Sequence, residues 1–489
     1  MTDTDAVLAQ VNQPEVVQQQ ITEFLAKQGD PRTSQPETTQ SSTASGEFDL
    51  VVRAQRAVTP EGVRACEIGI RDGRIETIEA LGADLQGANV VQLGDDETLI
   101  PGVVDAHVHV NEPGRTDWEG FWTATKAAAA GGVTTIIDMP LNSIPSTVTP
   151  QALEFKQLVA TGQTFVDVGF WGGAVPGNQE HLQQLQEAGV FGFKCFLLDS
   201  GVDEYPPLTP DALQDYLTTI AGFDGLMIVH SEDAESIAAA PEAHGNVYAD
   251  FLASRPREAE NRAIEQVIER ARRTGARTHI LHLSSAEALP LLRAAKQDGV
   301  DITAETCPHY LTLLAEDIPN GGTAYKCCPP IRESANRELL WEALADGTID
   351  YVASDHSPST VELKDLEHGD FGNAWGGIAS VQLELAAVWT EARRRGIALE
   401  QVSQWLSANP AARIGLQRKG KLATGYDADL VVFAPDDEFA VDARQLQHKN
   451  PVSAYDGKTL AGVVRGTYVR GQKVDFDQPR GRLLTHGTD

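Results

Sequence analysis

No apolar run in the chain reaches the roughly 18 residues that a membrane-spanning helix requires. The opening decapeptide MTDTDAVLAQ carries acid where a secretory leader carries base. A membrane partner is therefore not expected, and a cytoplasmic location is. Cysteine is scarce and scattered: Cys66, Cys195, Cys307, Cys327 and Cys328 make an odd set of five, which argues against a disulfide framework. No CxxC pair occurs, so a structural zinc ribbon is not expected and the thiols read as reduced. Basic residues are also few, 39 against 70 acidic. The resulting formal net charge of −31 argues against nucleic acid or an anionic bilayer as partner, because both are polyanions. A Gly-rich dinucleotide turn after the first barrel strand is missing, as is a GxSxG nucleophile elbow.

What is present is length and alternation. With 489 residues, 42% of them hydrophobic, the chain can build a large barrel plus smaller attachments. Residues 1–46 stand apart as an N-terminal extension. Their Gln-rich part, VLAQVNQPEVVQQQITEFLAKQG, has modest helical periodicity and predicts either a short docked helix or a frayed tail. The run DPRTSQPETTQSSTASGE has little to bury and predicts a flexible linker. Short β-like runs over 47–100 and again over 417–477 predict one small β-sandwich assembled from both flanks. A tail over 478–489 follows. Between the flanks, over 101–416, strand and helix patterns alternate, and eight strand candidates predict a (β/α)8 TIM-like barrel of α/β class. Those strands are expected at 102–110, 133–140, 166–175, 192–198, 226–232, 278–285, 301–311 and 349–357.

A barrel demands that its active groups lie at the carboxyl ends of its strands. The first strand ends in DAHVHV, where a period of two points His107 and His109 the same way. Lys194 lies inside the apolar fourth strand, His230 is near the end of the fifth, His282 near the end of the sixth and Asp355 near the end of the eighth. His279 faces away from His282 and reads as structural. Histidines 181, 244, 368, 448 and 486 fall in helices, loops or the tail and receive no role. A lysine ammonium between Phe193 and Cys195 is costly in a barrel interior. As a carbamate formed with carbon dioxide, Lys194 would instead offer two oxygens able to bridge two cations. The alternative is a lysine paired with a buried carboxylate.

Histidine nitrogens and one carboxylate suit zinc first, with iron, cobalt or manganese fitting the same donors. Two divalent ions about 3.5–4 Å apart can share a hydroxide that is nucleophilic near neutral pH. Asp355 is expected as the catalytic proton acceptor, and the chemistry expected is amide hydrolysis of a small-molecule substrate.

In this order, PGVVDAHVHV, GFKCF, IVHSED, LHLSS, CPHYL and ASDHSP resemble the cyclic amidohydrolases, which comprise dihydroorotases, hydantoinases with dihydropyrimidinases, and allantoinases. The resemblance covers roughly residues 48–475. It implies that His107, His109 and Asp355 bind one metal, that His230 and His282 bind the second, and that carbamylated Lys194 (N6-carboxylysine) bridges them. It also implies a homo-oligomer, tetramer or dimer. Dihydroorotases carry an arginine where this chain has Asn111, and hydantoinases a tyrosine where it has Asp199. The stretches NEPGRTDWEGF, GFKCFLLDSGVDEYPPL, KCCPPIRE and NAWGGIAS resemble the allantoinase branch, which hydrolyses the hydantoin ring of allantoin to allantoate in purine breakdown. Cys328 stands where relatives commonly have serine, and Trp375 is expected on a pocket wall. The competing expectations are hydrolysis of another hydantoin or a dihydropyrimidine, or a metal-free scaffold, against which the intact set of six ligand candidates argues. Substrate-binding residues are not identified from sequence.

Overall fold

A computed structural model describes residues 11–33 and 48–487. Most of the expected linker, residues 34–47 of 30–47, lies outside the described residues, as do the first ten residues and the last two. In chain order the strands are β1 (Phe48–Thr59), β2 (Gly62–Arg71), β3 (Arg74–Ala80), β4 (Gly87–Gln92), β5 (Thr98–Pro101), β6 (Val103–Val108), β7 (Val133–Asp138), β8 (Asp167–Phe170) and β9 (Gly172–Gly173). They continue as β10 (Phe193–Phe196), β11 (Leu226–His230), β12 (Arg277–Ile280), β13 (Ile302–Thr306), β14 (Tyr351–Val352), β15 (Leu430–Ala440), β16 (Thr459–Val469) and β17 (Gln472–Lys473).

The middle of the chain is α/β with parallel sheets. One runs β6-β7-β8 and the other β14-β13-β12-β11-β10-β9. Every residue of β6, β7, β10 and β11 is buried, as expected of parallel strands covered on both faces. Helices such as Phe121–Ala130, Pro210–Ala221 and Arg257–Thr274 supply that cover. Only Trp171 separates β8 from β9; its indole nitrogen donates to the Ala106 carbonyl at 2.8 Å. At the other edge Val108 and His356 form a parallel bridge, and the His109 amide donates to the His356 carbonyl at 2.8 Å.

Several strands are shorter than their sequence pattern suggests. The seventh stops at Thr306 because Pro308 opens the short helix Pro308–Thr312, a position where a missing N–H costs nothing. The eighth is reduced to β14, and three residues later Asp355 has φ 45°, which leaves the pleat. His282, with φ 37°, leaves it in the same way beyond β12.

Both flanks enter one eight-stranded sheet of order β17-β16-β15-β5-β1-β2-β3, with β4 on the side of β1. The join is antiparallel, from Leu430 opposite Pro101 to Phe433 opposite Thr98. Alternation along β15 then serves two cores. Leu430 and Val432 pack with Leu50 and Ile68, whereas Val431 and Phe433 face the large core that includes Val103 and Val133.

The N-terminal periodicity becomes the helix Pro14–Gln28, opened by Pro14 and followed by Gly29. Of the two sequence alternatives, docking holds: Val17 and Ile21 are buried, and Phe24 meets Phe155 edge-on at 5.9 Å. At the other terminus Leu483 bridges to Val168, and the Arg482 amide donates to Asp167 at 2.8 Å. No described helix is long and apolar enough to cross a membrane.

Candidate active site

The six residues singled out from sequence lie around one cavity of about 660 Å³, five of them on its wall: His109, Lys194, His230, His282 and Asp355. The sixth, His107, is fully buried behind it, 3.1 Å from Asp355 Oδ1 through Nε2. His109 Nε2 lies 3.7 Å from the same oxygen. His107, His109 and Asp355 place candidate ligand atoms within 4.8 Å of one another, a group that could hold a metal ion. The His282 ring lies 5.4 Å from that of His107 and 4.6 Å from that of His230, measured between centroids. The alternation of β6 thus directs both histidines of the HxH pair to one place.

One ring nitrogen in this cluster, His282 Nδ1, is buried without a hydrogen-bond partner, and His107 Nε2 has only the Asp355 carboxylate, at 3.1 Å. Such atoms are costly in a folded protein unless something accepts their lone pairs. The electrostatics agree. Burial works against a charge on His107, yet Asp355 and Glu305 raise its imidazole to about 9. Burial would raise Asp355, but His107, with His282 and His109, holds it well below the usual carboxylate range. Burial also pulls His109 and His282 well below their ordinary values and lowers His230. Three neutral imidazoles, His109, His282 and His230, beside the ionised Asp355 are donors suited to a cation, which would displace the proton that His107 otherwise holds; nitrogen with oxygen suits a first-row divalent ion.

Lys194 occupies β10 opposite Ile228, two residues before His230 on the neighbouring strand. Burial lowers its ammonium to about 8, while Asp355 and Glu305 pull the other way. No carboxylate lies within ion-pair distance of its Nζ among the described residues, and Nζ lies over the Phe196 ring, 5.1 Å from its centroid. The alternative of a lysine paired with a buried carboxylate is therefore not what the structure contains.

Sequence reasoning missed the residues that hold these groups. Glu305, at the end of β13, accepts from His107 Nδ1 at 2.5 Å and contacts His279 Nε2 at 3.2 Å. His279 also lies 2.7 Å from Thr303 Oγ1 and stacks on Tyr351, so it braces Glu305 rather than facing the cavity. Against burial, His107 and His279 keep Glu305 far below the usual carboxylate range. His230 Nε2 meets Glu232 at 2.8 Å, and Arg255 binds the same carboxylate at 2.6 Å. Cys307 and His309 form a second cluster with Asp355, again within 4.8 Å; both His309 ring nitrogens lack partners, and burial lowers the group to about 4. The one available signal was the carboxylate of Glu305 inside an apolar strand.

Asp199, Cys328 and Trp375 all line the cavity. Asn111 does not; it is buried with φ 67° and donates to the Pro358 carbonyl at 3.3 Å.

The amidohydrolase family profile matches residues 98–474. The chain is 55% identical to an allantoinase of Streptomyces avermitilis over 444 residues, 90% of this chain and 99% of that one. It is 48% identical to an allantoinase of Saccharomyces cerevisiae, covering 77% and 82% of the two chains. Among solved structures it resembles an L-hydantoinase (dihydropyrimidinase) from Arthrobacter aurescens, with a TM-score of 0.85 at 30% identity, over 90% of this chain and all of that one.

Proposed function

The chain belongs to the amidohydrolase family and, within it, groups with the allantoinases, and from that premise we propose that it opens the hydantoin ring of allantoin to give allantoate. The observation that carries the chemistry is the convergence of buried ring nitrogens of His107 and His109 on Asp355 at the cavity wall, with the unpartnered His282 Nδ1 in the same cluster.

In this reading His107, His109 and Asp355 hold one divalent ion and His230 and His282 a second, with Lys194 joining them as a carbamate. Zinc is the first expectation, with iron, cobalt or manganese as alternatives. What supports the carbamate is a buried lysine without a carboxylate and with a lowered ammonium, the state in which an amine reacts with carbon dioxide. When bound, the metal pair polarises the scissile carbonyl and makes water acidic. Asp355, on the cavity wall, takes the proton from the attacking water and delivers it to the ring nitrogen as the C–N bond breaks. Glu305 holds His107 in one tautomer, and the Arg255–Glu232 pair does the same for His230. Phe196 stacks on the His230 ring at 4.6 Å and fixes its plane.

We also read the two parallel sheets as one closed eight-stranded barrel over 101–416, supported by the Trp171 junction and the Val108–His356 bridge. The flank sheet is read as a small sandwich-like domain over 47–100 and 417–477, supported by its own core around Leu50, Ile68 and Leu430. A homo-oligomer is expected in solution.

The test is allantoate formation by the purified protein with metal counted on the same sample and Lys194→Ala as control. Turnover with about two ions per chain, lost in the control, supports the reading. Two ions without turnover on allantoin would leave a hydrolase of another substrate. The fold shared with the hydantoinase makes hydantoin and dihydrouracil the next compounds to assay.

A further inference from the structure

The helix Pro14–Gln28 lies outside the matched region, 98–474, yet the residue two places before it reaches the loops above the strands. Asn12 donates from Nδ2 to the Glu204 carbonyl at 2.9 Å, and its Oδ1 accepts the Ser146 amide at 2.9 Å. The buried Glu204 carboxylate accepts Arg115 Nη1 at 2.5 Å. The same Nη1 donates to the backbone carbonyl of Asn142 at 2.8 Å. Asn142 stands in the left-handed region at φ 65°, and its side-chain Nδ2 lies 3.3 Å from His109 Nδ1. Contacts thus run without a gap from the N-terminal segment to a histidine of the first barrel strand.

Each link has a physical task. A left-handed non-glycine residue is held there by its neighbours. The Arg115 bond to its carbonyl is such a fixing contact. A histidine that binds a cation through Nε2 carries its proton on Nδ1, and the Asn142 amide, turned half a revolution about its last bond so that Oδ1 replaces Nδ2, then accepts that proton. Arg115 itself is held in place by Glu204 and by the Trp118 ring, 5.2 Å from its guanidinium carbon. Trp118 in turn meets Trp375, on the cavity wall, at 5.1 Å. Burial of Val17 and Ile21 keeps the helix, and with it Asn12, in position.

We infer that the N-terminal segment is a strap on the active site: Asn12, Glu204 and Arg115 are positioning residues that set Asn142 against His109 and so orient that ring for metal binding. The inference rests on reading His109 as a metal ligand.

The experiment uses the full-length, metal-loaded protein and compares wild type with Asn12→Ala, Asn142→Ala, Asn142→Asp and His109→Ala. The readouts are the rate of metal loss to a chelator, the visible spectrum of the cobalt-loaded form, and kcat against KM. The expected result is that Asn12→Ala and Asn142→Ala each speed the loss of one ion about 10-fold, shift the cobalt spectrum and lower kcat with KM unchanged. Asn142→Asp, which keeps an acceptor for Nδ1–H, retains the ion like wild type. A wild-type release rate and spectrum in Asn12→Ala, with both altered in Asn142→Ala, would overturn the strap while leaving the site intact. If His109→Ala keeps both ions and the wild-type spectrum, the ligand assignment beneath the strap fails instead. Should Asn142→Ala not fold, Asn12→Ala, on a half-buried segment outside the barrel, decides the question by itself.

Discussion

Lys194 and Lys419 are both buried, and their surroundings are opposite. Lys419 sits beneath the amino ends of the parallel strands, 2.9 Å from Asp167, which opens β8, and 2.7 Å from Asp429. Although burial opposes its charge, these carboxylates, with Asp427, hold its ammonium above the ordinary value. Arg470 completes the group by binding Asp167. Lys194, near the carboxyl ends, has an aromatic ring for a neighbour and an ammonium lowered to about 8. A buried lysine surrounded by carboxylates is complete as it stands and serves the fold. Absence of carboxylates is not enough to mark a chemical lysine, since the buried Lys364 is also lowered to about 8 but donates to the Trp375 and Gly377 carbonyls; Lys194 differs from both in facing the cavity with an aromatic ring beside it.

The largest effect expected from this contrast is at Lys194. Replacing it by alanine should reduce kcat by about 10³-fold or more and release metal, as read by steady-state hydrolysis and metal counting. Lys194→Arg, which keeps a positive charge but cannot form a carbamate, should be no better. If Lys194→Arg were active, the two lysines would be alike after all. Lys419→Met should act on the other side of the comparison. Leaving Asp429 buried without a cation, and Asp167 with Arg470 alone, should cost up to about 3–5 kcal/mol of stability, seen by denaturant melts, with turnover per folded molecule unchanged.

Smaller effects sharpen the picture. Glu305→Gln should weaken metal retention about 10–100-fold in a chelator competition, because His107 loses its ionic partner while its position is kept. The smallest expected effect concerns acid. Burial raises Asp167, but Lys419 and Arg470 outweigh it and bring the carboxyl down from 3.8 to about 2. A lowered carboxyl contributes stability that is present in full above its unfolded value and is lost as pH falls through the folded one. The melting temperature should therefore decline between about pH 4 and pH 2, and Asp167→Asn should make that decline shallower.

The ligand candidates were legible because strands have a strict period: His107 and His109 share a face, and His279 does not share one with His282. Lys194 was visible as a charge in an apolar run, and the common texture of the two flanks anticipated their meeting in one sheet. The bracing residues were hidden because their partners are remote in sequence. Glu305 meets His107 across 198 positions, and Glu204 meets Asn12 across 192. Strand ends were overrun where His282 and Asp355 turn left-handed at φ 37° and 45°. Hydrophobic patterning has no term for a residue that leaves the pleat to aim a side chain. Asn142 escaped for the same reason.

The pairing of β5 with β15, from Thr98 opposite Phe433 to Pro101 opposite Leu430, has a consequence in time. One edge of β5 is served early, by Leu99 against Ala57 of β1. Its other edge waits for a strand made only after the whole of the parallel α/β region. At ordinary rates of synthesis that interval is of the order of tens of seconds. A nascent chain arrested before residue 430 would carry an unpaired β edge and a half-built core, and would be the species on which a chaperone acts.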